Sequence, residues 1–127
     1  MSVFTDLQGA IFTKLTTAGL SCYDDVPQDE KAFPYVTIGD DDYTSDDTDG
    51  YERLICNINI YSWSRYRGSK EVKDTMGTVY STLHRQDVTV LGYNVLGIDH
   101  VSTSSAVESD GITRRGIQTF KIILTKG

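Results

Sequence analysis

Apolar residues recur in the first segment at Phe4, Leu7, Ile11, Leu15 and Ala18, steps of three and four that place them on one face of a helix. Val3 and Phe12 fall at the margins of this stripe, and Thr5, Thr13, Thr16 and Thr17 lie away from it. Ser2 is placed to cap the helix and Gly19 to stop it. The period then changes to two. Residues 21–26 read as a short strand ended by Pro27, and residues 27–32 as a polar loop. Phe33-Pro34 leads into Tyr35-Val36-Thr37-Ile38, a strand with Val36 and Ile38 on one face.

Residues 52–64 carry the strongest strand pattern. Leu54, Cys56, Ile58 and Ile60 alternate with Ile55, Asn57, Asn59 and Tyr61, which suits a sheet with one face on helices and the other partly wet or in an interface. After a basic turn, Ser69 is placed to cap a second helix with Glu71 in its first turn, and Val72, Met76, Val79, Tyr80 and Leu83 form its core-facing stripe. Gly77 inside that helix costs roughly 1 kcal/mol against Ala, which points to close packing there. Residues 88–91 and 93–96 flank Gly92 as a small hairpin or a bulged strand. Residues 98–107 continue as a strand with a Ser/Thr-rich exposed side. Ser109-Asp110-Gly111 makes a turn, and residues 112–125 form a final strand with Phe120, Ile122 and Leu124 on one face. The expectation is a single α+β domain over residues 1–127: a mostly antiparallel, mixed sheet with two α-helices packed on one face.

Residues 40–50 break the pattern. Six aspartates in eleven residues (Asp40, Asp41, Asp42, Asp46, Asp47 and Asp49) predict an exposed, locally unstructured loop joining two strands. Downstream, Arg65, Arg67, Lys70 and Lys73 form a cluster of opposite sign. Either these are two solvated surfaces, or one subunit's acidic segment meets its neighbour's basic turn in a head-to-tail contact.

The formal net charge of −6 argues against non-specific nucleic-acid binding and against docking on an anionic membrane. No apolar run approaches a membrane span, and no secretory leader pattern is visible at the N-terminus, so the chain reads as cytosolic when made. Cys22 and Cys56 are far apart and form no metal or redox spacing; they read as buried free thiols. His84 and His100 have no partner motif that would make either a base or a ligand. An EF-hand register on Gly50 puts Cys56 where a bidentate carboxylate is needed, so specific calcium binding is not expected. No phosphate-binding, dinucleotide or nucleophile-elbow motif occurs. The reading is of no enzyme, no cofactor, no metal and no catalytic residue.

Three segments carry a resemblance. They are Cys22-Tyr23-Asp24-Asp25-Val26-Pro27 with Phe33-Pro34-Tyr35-Val36-Thr37-Ile38-Gly39; Tyr61-Ser62-Trp63-Ser64 with Gly68, Glu71 and Leu83-His84; and Asp110-Gly111-Ile112-Thr113-Arg114-Arg115-Gly116. In this order and spacing the chain resembles the tail completion, or tail terminator, proteins of long-tailed phages and gene transfer agents. The resemblance implies a structural virion assembly protein. Such a subunit forms a ring, a homohexamer in the family, that caps the tail tube, stops its polymerisation and joins tail to head. The implied partners are further copies of the chain, the tail tube protein and the head–tail connector, with DNA passing through the lumen without sequence-specific binding and no membrane partner. The implied place is the head-proximal end of the virion tail, after assembly in the host bacterial cytoplasm. A head–tail stopper or adaptor is the alternative, and a small calcium- or ligand-binding module a more distant one. The family has no catalytic residues to carry over. The candidate contact residues are Asp41, Asp42, Asp46, Asp47, Asp49, Trp63, Arg65, Arg67 and Lys70.

Overall fold

The computed structural model describes residues 2–24, 33–47 and 49–127. Helix α1 spans Val3–Thr17. Ser2 Oγ accepts the Thr5 amide at 3.1 Å, and Gly19 ends the helix at φ 94°. Leu7, Ile11 and Leu15 are fully buried. Phe4, expected in the same stripe, is 48% exposed. It sits at the rim, where one side of its ring meets Tyr43 edge-to-face at 4.5 Å and the other meets solvent.

Five strands follow: β1 (Cys22–Tyr23), β2 (Tyr35–Ser45), β3 (Arg53–Ser64), β4 (Tyr93–Val107) and β5 (Arg114–Lys126), with α2 (Lys70–Leu83) between β3 and β4. The sheet order is β1-β2-β3-β5-β4; β1 pairs with β2 in parallel and every other pair is antiparallel. β1 falls within the strand expected over 21–26, whose last two residues lie outside the described residues together with the polar loop expected over 27–32.

Burial alternates along β3, with Cys56, Ile58, Ile60, Ser62 and Ser64 inside, and along β5, with Gly116, Gln118, Phe120, Ile122 and Leu124 inside. These apolar residues form one cluster with Leu7, Ile11 and Leu15 of α1 and Val79 and Leu83 of α2. Both helices therefore cover the same face, as the α+β reading expected. The opposite face has no covering layer among the described residues.

Four local expectations are corrected. Ser69 precedes α2 but its side chain makes no cap; Ser64 Oγ instead donates to Glu71 Oε1 at 2.7 Å, fixing the carboxylate in the first turn. The close approach expected at Gly77 falls at Gly116, where a Cβ would overlap the Met76 side chain, while Gly77 has open space. Tyr80 is 41% exposed, because its ring stacks on His84 beyond the end of the core. Residues 88–91 contribute only a bridge from Val90 to Tyr93 around Gly92 (φ 81°), and β4 runs unbroken from Tyr93 with bulges at Val95/Gly97 and His100/Ser102.

The acidic segment is the largest correction. Asp40, Asp41, Asp42, Tyr43, Thr44 and Ser45 are strand, not loop: β2 shifts register between Ile38 and Asp41 and then pairs with β3 through Ser45↔Leu54. Beyond the two pairs β1 makes with Val36 and Thr37, no strand among the described residues neighbours the outer side of β2, and Asp40, Asp41 and Asp42 are exposed there.

Candidate assembly surfaces

The acidic edge is held from beneath. Tyr43 turns inward opposite Cys56, and its hydroxyl reaches the Phe4 carbonyl at 3.5 Å. Burial, with Cys56 and Asp41 nearby, pushes the Tyr43 hydroxyl far above its ordinary range. Burial likewise pushes the Cys56 thiol up to about 12 and the Cys22 thiol up to about 11; both cysteines are free. Asp42 Oδ1 accepts from Asn57 Nδ2 at 3.1 Å. Arg53 gathers the hairpin end: its guanidinium meets Asp46 at 3.1 Å, and its amide donates to Asp47 Oδ1 at 3.2 Å. Asp40, Asp41 and Asp49 are exposed and make no ion pair among the described residues.

The opposite end of β3 carries an aromatic corner. Trp63 Nε1 donates to Thr37 Oγ1 at 3.0 Å, and its ring lies 6.1 Å from Tyr35 and 6.2 Å from Tyr61. Phe33 packs on Tyr35 at 4.9 Å, and the Arg65 guanidinium sits 4.7 Å over the Phe33 ring. Arg65 Nε also donates to Thr113 Oγ1, whose hydroxyl donates to Asp110 Oδ2 at 2.6 Å. Each of the three segments that carry the family resemblance thus sends residues to one corner of the fold.

Asp110 accepts in addition the Ile112 and Thr113 amides, each at 2.8 Å. The Thr113 hydroxyl, then these amides and the Arg65 charge, lower its carboxyl from 3.8 to about 2. A depressed carboxyl contributes its stabilisation fully above the unfolded value and loses it as pH falls through the folded one. The β4–β5 turn should therefore hold its carboxylate as acid is added from pH 3.8 and release it only near pH 2. An NMR titration of the Asp110 carboxyl carbon checks this; a midpoint near 4 would mean the Thr113 bonds are not kept in solution.

Among the basic candidates, Arg65 is thus part of this corner, and Lys70 pairs with Asp74 one helical turn away at 2.7 Å, an exposed contact of little energetic weight. Arg67 is exposed on the turn. The acidic and basic sets are not brought together within the chain. The aspartates align with residues 54–58 of β3 and the basic residues follow its end at Ser64, on the order of 20–35 Å away at ~3.3 Å per residue.

One feature had no sequence signal. His84 Nδ1 accepts the His100 amide at 3.0 Å, which makes His84 a cap on β4. His100 then packs edge-on against Phe120 at 5.6 Å. The uncovered sheet face presents Tyr61 and Trp63 beside half-buried Asn57, Asn59, Ile117, Thr119 and Lys121, with Thr119 Oγ1 donating to Asn59 Oδ1 at 2.7 Å. Among the described residues no group of three His, Cys, Asp or Glu side chains is arranged to hold a metal ion, and no helix is long and apolar enough to cross a membrane.

The fold is a small two-layer domain with two differently charged ends and a sheet face that no layer covers among the described residues. A chain described as "Virion of native gene transfer agent (GTA) particle" has the same fold: TM-score 0.86 at 19% identity, covering 98% of each chain. A family model for "Tail completion protein gp17" matches residues 9–125, and the chain belongs to this family of tail completion proteins. It is a structural component of a phage-type tail. No curated protein matches its sequence.

Proposed function

We propose that copies of this chain form a closed ring at the head-proximal end of a tail, where the ring caps the tail tube, stops its growth and offers a surface to the head–tail connector. The observation that carries this reading is the separation of charge within a tail completion fold: exposed aspartates at one end of β3, and Arg67 and Lys70 beyond the other, too far apart to meet within a chain. Head-to-tail contacts satisfy both sets at once, and heterologous contacts close into rings when the rotation allows. Asp41, Asp42, Asp46, Asp47 and Asp49 are then one half of the contact and Arg67 and Lys70 the other, with Trp63 and Arg65 bracing the corner beside it. The ring is a homohexamer in this reading, and DNA passes through it without sequence-specific contact.

The test is electron microscopy of the protein mixed with its tail tube protein. Short tubes with uniform closed ends are expected; open tubes of unchanged length would remove the capping role and leave a connector position on the head side. Arg67→Glu with Lys70→Glu should reduce capped ends at least about tenfold, about 1.4 kcal/mol of contact. Added salt should weaken wild-type capping and affect the variant less, because screening acts on the attraction the variant has lost. Undiminished capping by the variant would exclude charge as the basis of the contact.

A further inference from the structure

The sheet has two outer edges, and they are unlike. Among the described residues, β2 presents Asp40, Asp41 and Asp42 beyond its two pairs with β1. Charge on an edge strand is a usual guard against indiscriminate pairing. The middle of β4 is tied from outside by the residues just after α2: the Arg85 amide donates to the Ile98 carbonyl at 2.7 Å, and the His100 amide donates to His84 Nδ1. Past the bulge at His100/Ser102 this cover ends. All residues from Val101 to Val107 are exposed, and none is charged or a proline. Ile98 and His100 direct backbone groups outward, and alternation in an antiparallel ladder then turns those of Thr103 and Ser105 outward as well. The side chains there are short, so the backbone is open to a partner. Val101 and Val107 are 56% and 46% exposed at the two ends of this stretch.

The surroundings indicate what would pair. Lys73 of α2 lines a groove with Thr103, Ser104 and Ser105, and Arg114 lies opposite Val107. Neither cation makes an ion pair among the described residues. Among the described residues, the edge of β4 is thus flanked by positive charge outside any ion pair, and Asp40 and Asp41 give the other edge negative charge outside any ion pair. β2 and β4 also run in opposite directions in the sheet. In a ring all copies point the same way about the axis, so β4 of one copy meets β2 of the next antiparallel. The two open stretches lie at opposite ends of the sheet, and tilted strands in a closed barrel supply the required stagger.

We infer that residues 101–107 of β4 pair with the acidic edge of β2, residues 40–45, in a second copy of the chain, so that the ring is a continuous sheet. This rests on the ring reading above and names the surfaces that build it. Thr44 and Ser104 both lie on the uncovered face, opposite Ile55 and Ile117. Single variants Thr44→Cys and Ser104→Cys, one carrying a size tag, are mixed and treated with a short bismaleimide, both alone at high concentration and with tail tubes. Cys22 and Cys56 are buried, which keeps background reaction low.

Cross-linked heterodimers from the mixture, with little product from either variant alone, are expected. Product from one variant by itself, or no product in either condition, overturns the inference. Independently, Thr103→Pro removes an outward amide, and Ser105→Asp sets a carboxylate against the aspartates; each should cut capped ends at least about tenfold. Circular dichroism confirms the fold, and Ser105→Asp decides if the proline variant does not fold. Normal capping by a folded Ser105→Asp overturns the edge pairing and leaves the ring standing. Failure of the wild-type chain to cap removes the ring reading instead, and the cross-link on the protein alone then decides the pairing.

Discussion

Phe120→Ala is expected to destabilise the fold by about 3–5 kcal/mol, the range for emptying an aromatic site in a closed core. Phe120 is completely buried in the middle of β5, directly between Ile58 of β3 and His100 of β4. The strand neighbours are fixed by pairing on both sides, so the site cannot collapse to refill the space. For a chain of 127 residues the loss corresponds to a melting temperature lower by roughly 10–20 °C. Urea titration should show a lower midpoint at unchanged slope. A second consequence follows from His100, which rests on the Phe120 ring and gives its amide to His84. Amide exchange in β4 should speed up near His100 more than near Val95, and a uniform change would mean that the histidine cap does not depend on the ring beneath it. A loss under about 1 kcal/mol would show that α2 closes over the site.

Much of this architecture is legible in the sequence because burial and period coincide. The alternation of Cys56, Ile58 and Ile60, that of Phe120, Ile122 and Leu124, and the steps Leu7, Ile11, Leu15 and Val79, Leu83 each face the single core they predict, and Val72 and Met76 are buried as their period expects. The acidic half of β2 is not legible as strand for a physical reason. Aspartate is depleted in strands chiefly because most strand positions are packed. An outer edge removes that cost, and the one inward residue that pins the register, Tyr43, is a single apolar position among aspartates, with no period to detect. The tyrosine has meaning only once Cys56 and Phe4 lie beneath it.

The candidate contact residues show the same limit. Their charges could be read directly, but which are free could not. Arg65 is held by Phe33 and by Thr113, 48 residues away, and Trp63 by Thr37, 26 residues away. Arg67 has no such tie among the described residues, and nothing local in the sequence separates it from Arg65. The bare edge of β4 was equally hidden: a Ser/Thr-rich strand reads as merely exposed until the sheet order places it last and the residues just after α2 are seen to tie only its middle. The motifs of the family resemblance behave differently. They are architectural residues whose partners are one another, which is why their spacing across the chain carries more than any one of them.

Gly39→Ala tests that corner most sharply. Gly39 follows Ile38 at the register shift of β2, and a Cβ there would overlap the ring of Tyr61, striking the ring carbons themselves. The ring cannot swing away freely, because its neighbour on the same face is Trp63, fixed by its bond to Thr37. The contrast is Gly116, where the obstructing atoms belong to the flexible end of Met76. Overpacking against a braced aromatic should cost Gly39→Ala about 2–3 kcal/mol. The backbone itself does not demand glycine, since Gly39 is absent from the positive-φ positions. In a Tyr61→Ala background the same substitution should therefore be neutral or stabilising by up to about 1 kcal/mol, through the reduced entropy of the unfolded chain. The cycle of four proteins, each measured by urea denaturation, should give a coupling of about 2–3 kcal/mol between positions 39 and 61, well beyond the limits of additivity for independent sites. Additive costs would mean that Tyr61 leaves Gly39 without resistance, and that the aromatic corner is a loose surface instead of the brace that positions the basic turn.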